Sequence, residues 1–407
     1  VERVELLRSS SANRSGDAVA GAINIILRDS YAFDGTYVRG GLNHWYDGEA
    51  NPTFGAVTSG DFAGGRILAG VNVQDRYRAK EKRSDRFADS SKDELVSWED
   101  QTEVKDGRDY SANLSYIVGI GKTGRLTLDG FFVKTDRDVT EVSFEEERDD
   151  DETIDSRVPG LNPINQKNWG FGAEYMFDIA GGTTRISLDH ARFEDDSATT
   201  EETHSYIGDA NRWDQVWSID GAEWDSSEAE AQAVDAKDAE TGFKLAHKRS
   251  LGSSVQVELG VDYRRKKRDI TYTTLEWEAE REGDPVVYEP DSVITSVIEE
   301  RRLDPYTQFS GDVGKLSWEL GLRYETTDSD IRYVEDGNVE GADGTEDDKL
   351  LPSLHLKWEL TESDRISFSL ARSVKRPNFN EMIPALLDGE YGDNDYIGNP
   401  RLEMETA

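Results

Sequence analysis

Over most of its length the chain is written in runs whose apolar residues recur at every second position, the period of a β-strand with one apolar and one polar face. Val255, Val257, Leu259, Val261 and Tyr263 share one face of such a run, while Gln256, Glu258, Gly260 and Asp262 share the other. Leu316, Trp318, Leu320, Leu322 and Tyr324 alternate in the same way with Ser317, Glu319, Gly321 and Arg323. Leu354, Leu356, Trp358 and Leu360 alternate with His355, Lys357 and Glu359. Two further stripes run Phe171, Ala173, Tyr175, Phe177, Ile179 and Tyr110, Ala112, Leu114, Tyr116, Val118. An all-β fold follows, and both a soluble sandwich and a membrane barrel are written with stripes of this kind.

The connections separate those two. Short turns fall at Ala63-Gly64-Gly65, Gly119 to Gly124, Ala180 to Thr183, Ser250 to Ser253, Gly311 to Gly314 and Thr361 to Asp364. Between them lie longer polar stretches, 78–102, 146–164, 197–236, 269–299 and 333–349, which we read as loops. Strict alternation of short and long connections is the habit of an outer-membrane barrel, with short periplasmic turns and long extracellular loops. The pattern predicts strands at 36–46, 53–62, 66–77, 103–118, 125–145, 165–179, 183–196, 237–249, 254–268, 300–310, 315–332, 350–360 and 365–376. Several exceed the ~9–11 residues that cross the hydrocarbon, as strands projecting beyond the membrane would.

Composition agrees with a barrel. With 36% hydrophobic and 32% charged residues, the chain contains no apolar run of the ~18 residues that a spanning helix needs, whereas a barrel needs apolar residues only at alternate positions. Nine Trp, 16 Tyr and 14 Phe would supply interfacial girdles. A formal charge of -37 argues against nucleic acid as a partner. Cysteine is absent, so no disulfide framework or thiol chemistry is available. The start, Val1-Glu2-Arg3-Val4, is unlike a signal peptide, and any export signal is expected upstream of it.

Residues 1–28 read as two short strands around a small-residue linker. Val1-Glu2-Arg3-Val4-Glu5-Leu6-Leu7-Arg8 followed by Gly21-Ala22-Ile23-Asn24-Ile25-Ile26 resembles the last plug segment of the TonB-dependent receptors. Ala371-Arg372-Ser373-Val374-Lys375-Arg376-Pro377-Asn378-Phe379, followed by Gly398-Asn399-Pro400-Arg401-Leu402, resembles a mid-barrel strand and loop of the same family. One departure is Ser9-Ser10-Ser11, where members commonly carry Gly after the arginine matched by Arg8; Gly16 and Gly21 still allow tight backbone geometry there.

The resemblance implies an antiparallel transmembrane barrel, here about 13 of 22 strands, with residues 1–29 as the end of a plug and 30–407 as the first part of the barrel. An odd number of strands does not close an antiparallel barrel, and against the 22 strands that the resemblance implies roughly nine more are expected beyond Ala407. It also implies import of a small-molecule substrate across the bacterial outer membrane by plug displacement, without catalysis or cofactor. The partners would be outer-membrane lipid and the inner-membrane TonB complex, which pulls on an N-terminal box that this sequence does not contain. A ferric siderophore is the default cargo; a vitamin or a carbohydrate is the alternative.

Glu2, Arg3, Glu5 and Arg8 are candidates for ion pairs between plug and barrel, or else ordinary surface charges on a strand. Trp213, Trp217 and Trp224 offer aromatic faces to a ligand, against the plainer role of loop or interface packing. The acidic runs Glu145 to Glu152 and Glu346 to Asp348 lack calcium-loop spacing and read as solvated loop. His44, His190, His204, His247 and His355 are scattered, so no metal site is expected. No nucleophile elbow, His-Glu-x-x-His or phosphate loop is present, which leaves little for an enzyme. The rivals from other classes are an adhesin or enzyme built on a barrel without a plug, and a soluble all-β carbohydrate-active enzyme or binding protein.

Overall fold

The structure is a computed structural model and describes residues 3–7, 11–16, 22–26, 33–92, 94–149, 152–208, 222–361, 363–383, 386–387, 396–399 and 401–407. Two short strands, β1 (Arg3–Leu7) and β2 (Ala22–Ile26), pair antiparallel with Glu5 opposite Asn24. The main sheet then runs through β3 (Gly35–His44), β4 (Ala50–Phe62), β5 (Gly65–Asp75), β6 (Arg78–Phe87), β7 (Leu95–Ile120), β8 (Gly124–Asp149) and β9 (Glu152–Ile179). It continues with β10 (Gly182–Ile207), β11 (Glu223–Leu251), β12 (Val255–Glu278), β13 (Glu289–Val313), β14 (Leu316–Glu335), β15 (Asn338–Glu359) and β16 (Arg365–Ala371). After these come β17 (Val374–Lys375), a single helical turn α1 (Phe379–Met382), β18 (Leu386–Leu387), β19 (Tyr396–Ile397) and β20 (Glu405–Thr406).

The 14-stranded sheet is an antiparallel meander in which almost every strand pairs with its neighbour in sequence. β5 and β6 lie end to end along β7, pairing with its 108–118 and 95–105 parts in turn. All thirteen predicted strands are present as the path from β3 to β16. The six predicted short turns hold as well. At Ala63-Gly64 and Ala180-Gly181 both residues have positive φ, the mirror-image turn whose twist suits a two-residue hairpin.

The expected long loops are corrected by the structure. Most of 146–164 is strand, β8 and β9 pairing as far as Asp149 opposite Glu152. Strands β14 and β15 run through 333–349 to a two-residue turn at Asp336-Gly337. Stretch 78–102 holds β6 and the start of β7, while β10 to β13 extend well into 197–236 and 269–299. These extensions carry no continuous apolar stripe, their few apolar residues such as Ile270, Tyr272 and Ile298 being gathered on the inner face, and backbone pairing, which is blind to side-chain polarity, keeps them extended.

Alternation sorts the side chains onto two faces. Leu259, Leu320, Trp358 and Phe368 are each about half exposed on the outer face, together with Leu303, Leu322 and Phe243. In water such a band would be an exposed apolar patch, whereas against hydrocarbon it is the matching surface. The opposite face of β13 buries mainly polar groups, Ser296, Glu300, Arg302, Asp304 and Gln308, with Ile298 and Tyr306 between them.

Candidate functional site at the inner wall

The site is assembled from the polar parity of β11 to β14. Opposed registers bring Lys244 beside Asp262, Asp262 beside Asp304, and Arg302 near Arg323 and Glu325. Arg323 is buried and binds three carboxylates: Asp262 through Nη1 at 2.8 Å, Asp304 through Nη2 at 2.7 Å and Glu325 through Nε at 2.9 Å. Arg302 donates to Asp304 at 2.9 Å and reaches Glu325 at 3.5 Å. Lys244 lies 3.4 Å from Asp262, and the Tyr306 hydroxyl donates to Glu258 at 2.9 Å. Tyr306 presents its ring to Lys244 and Arg323 at 5.2 and 5.8 Å. With Arg376, which pairs with Glu325, four cations face four carboxylates. That balance is what charges withdrawn from water require, because an unmatched one would cost several kcal/mol (~3–5).

The network holds a piece of chain from the other end of the sequence. Arg323 Nη1 donates to the carbonyl of Ala12 at 3.2 Å, Lys244 Nζ to the carbonyl of Asn13 at 2.9 Å, and Arg302 Nη2 to the Ser15 hydroxyl at 3.0 Å. The Gly16 amide donates to Glu325 Oε1 at 2.9 Å. Ala12 and Gly16 are buried against the wall. The segment is therefore gripped by hydrogen bonds to charged groups, most of them at its backbone, and not by an apolar seal.

Above the network, α1 turns inward. Met382 and Ile383 pack with Ala236, Ile270, Tyr272, Ile298 and Ile331 in an apolar cluster on the inner face, with Phe379 alongside. Arg268 binds Asp238 and Asn380 and lies 5.8 Å from the Phe379 ring. A cavity of about 900 Å³ lies between this turn and β10 to β13, lined among others by Phe193, Lys266, Arg268, Lys375, Phe379 and Glu381. It is large enough for a small-molecule ligand and mixes both charge signs with two aromatic rings. A second cavity of about 820 Å³, toward the outer strand ends, is lined by Glu228, Glu230, Glu276, Glu278, Glu289 and other acidic groups.

On the outer part of β7 and β8, Glu99 faces Glu145 and Glu103 faces Glu141. Burial pushes the Glu145 carboxyl up to about 7, helped by Glu99, Glu201 and Glu147 and opposed by Arg86. Glu141 is raised by burial and by Glu103 and Glu99. Glu103 is lowered, because Arg78 and Lys105 outweigh its burial.

The sequence candidates fare unevenly. Glu2 and Arg8 lie outside the described residues; Arg3 and Glu5 are in β1, and their side chains lie outside them too. Among the described residues, contacts between the two ends of the chain are made by Ala12, Asn13, Ser15 and Gly16. Trp213 and Trp217 lie outside the described residues, and Trp224 sits opposite Tyr206 with its Nε1 donating to Ser227 Oγ at 3.1 Å. Among the described residues, no group of three or more acidic or histidine side chains is placed to hold a metal. Asp262 and Arg323 were legible only as polar-face residues of two stripes; their pairing needed the register. Arg302, Asp304 and Glu325 carried no separate signal.

Residues 106–407 match the family model described as TonB dependent receptor-like, beta-barrel. The chain belongs to the TonB-dependent receptor family. The family's members are β-barrels of the bacterial outer membrane, and they transport and do not catalyse. No curated protein matches the receptor. Among solved structures, the FrpB iron transporter from Neisseria meningitidis (F3-3 variant) aligns at 9% identity over 91% of this chain and 82% of that one. Its TM-score is 0.18, too low for any feature to be carried across. Membership in a transporter family removes the soluble carbohydrate-active reading.

Proposed function

We propose that the receptor imports a scarce small molecule, a ferric siderophore as the first candidate, by TonB-driven displacement of a plug whose last part is residues 1–29. The rest, 30–407, forms barrel wall on this reading. The observation that supports it is the seating of Ala12 to Gly16 on Lys244, Arg302, Arg323 and Glu325. A part that must leave and return is better held by exchangeable hydrogen bonds than by a packed apolar surface, since water and the network's own charges can take over its contacts once it is gone. The cavity beneath α1 is the place for cargo on its way to the plug.

The test is uptake of iron-loaded siderophores by iron-limited cells with and without the full-length receptor, before and after collapse of the proton motive force. Uptake that needs both the receptor and the force is the expected result. Receptor-dependent uptake of a vitamin or an oligosaccharide instead would replace the cargo while keeping the transporter. Uptake indifferent to the proton motive force would remove TonB from the mechanism.

A further inference from the structure

Gly16 touches two parts of the receptor at once. Its amide donates to Glu325 Oε1 at 2.9 Å, and its carbonyl accepts from the Val374 amide at 3.0 Å. The other oxygen of Glu325 accepts from Arg376, two residues beyond Val374. Gly16 and Glu325 thus form a bridge between segment 11–16 and the segment that leads from β16 into α1. The fit is close: a Cβ on Gly16 would lie 2.5 Å from Leu351 Cδ1 and 3.2 Å from both Glu325 Oε1 and Val374 Cγ2. Val374 and Glu325 are buried while 11–16 is seated, so in that state Gly16, and not water, satisfies the Val374 amide and one Glu325 oxygen.

From this we infer that Gly16 and Glu325 act as a latch: segment 374–378, paired at β17 with β20, keeps its inward position while 11–16 is seated, and withdrawal of 11–16 releases it. The inference rests on the reading of residues 1–29 as plug and concerns the regulation of the same site. Lys375, Arg376, Phe379 and Asn380 line the cavity of about 900 Å³, so release of the latch changes the cavity's shape and contacts. Linkage makes the device two-way: cargo that displaces 374–378 takes the Val374 and Arg376 contacts away from the junction and loosens 11–16. The apolar anchor of Met382 and Ile383 is separate from the junction, which lets the segment pivot on α1 instead of unfolding.

The absence of cysteine makes the test direct. Asn13→Cys and Lys375→Cys, introduced singly into the full-length receptor, report by thiol-labelling rate on the two sides of the latch, with heat-modifiable migration confirming a folded barrel. Gly16→Ala is expected to raise labelling at position 375, and Arg376→Ala to raise labelling at position 13, each about tenfold, within the usual range for coupled sites. If each substitution affects only its own side, or neither affects anything, the latch is wrong. Should Gly16→Ala fail to assemble, the Arg376→Ala arm decides alone. If Asn13→Cys labels at the unfolded rate in the otherwise unaltered receptor, the seated-plug reading itself fails, and that outcome is distinct from failure of the latch.

Discussion

At the scale of single residues, parity decides whether a side chain meets lipid or the interior. Leu259 and Leu320 are exposed on the outer face, so an arginine at either would enter hydrocarbon and cost ~2–4 kcal/mol near the midplane. Leu259→Arg and Leu320→Arg are expected to lower the heat-modifiable, folded fraction on a gel; normal assembly of both would invert the face assignment. Arg323 has the opposite environment. Arg323→Ala strands Asp262, Asp304 and Glu325 without their shared cation, and the loss is expected at ~3–5 kcal/mol, read as a lower midpoint in denaturant. Arg323→Met should be nearly as harmful, since a filled volume does not neutralise three carboxylates.

At the scale of elements, the hairpins outlast the stripes that announce them. The outer halves of β7 and β8 are held by backbone pairing while Glu99 and Glu145 oppose one another. The Glu145 carboxyl is raised to about 7 in the folded receptor, so between its ordinary value and 7 the folded state binds more protons than the unfolded one. The Glu145 contribution is therefore greatest below the ordinary carboxylate range, is lost as pH rises toward 7, and changes little above. Hydrogen exchange on 95–103 and 141–149 should quicken across this window in the native receptor, and Glu145→Gln should flatten the dependence. At the far turn of β14 and β15, Gly337 has φ +82° with open space around it, so Gly337→Ala meets no clash and costs only backbone strain, about 1 kcal/mol. Faster exchange confined to the neighbouring strand ends is the expected result. The apolar stripes of β12, β14 and β15 were legible because one face needs hydrocarbon. Their outer extensions were mistaken for loops because neither face needs it there.

At the scale of the whole molecule, an apolar outer band and a charged inner wall on the same strands describe a surface between lipid and a polar lumen. The full-length receptor is expected in the outer-membrane fraction with migration that changes on heating, and recovery as a soluble protein would overturn the spanning arrangement. Alternating hydropathy, short glycine turns and acidic composition by themselves determined the all-β class, the thirteen strand positions and the outward face, because a two-residue period has only two faces and only one can meet lipid. Tertiary structure alone decided that Asp262, Arg302, Asp304, Arg323 and Glu325 converge, and that Gly16, hundreds of residues away, closes against them. Charged residues at inner positions look alike in sequence whether solvated or paired. Which of them meet depends on strand register and on a chain segment that folds back from the other end, and neither is written in local pattern.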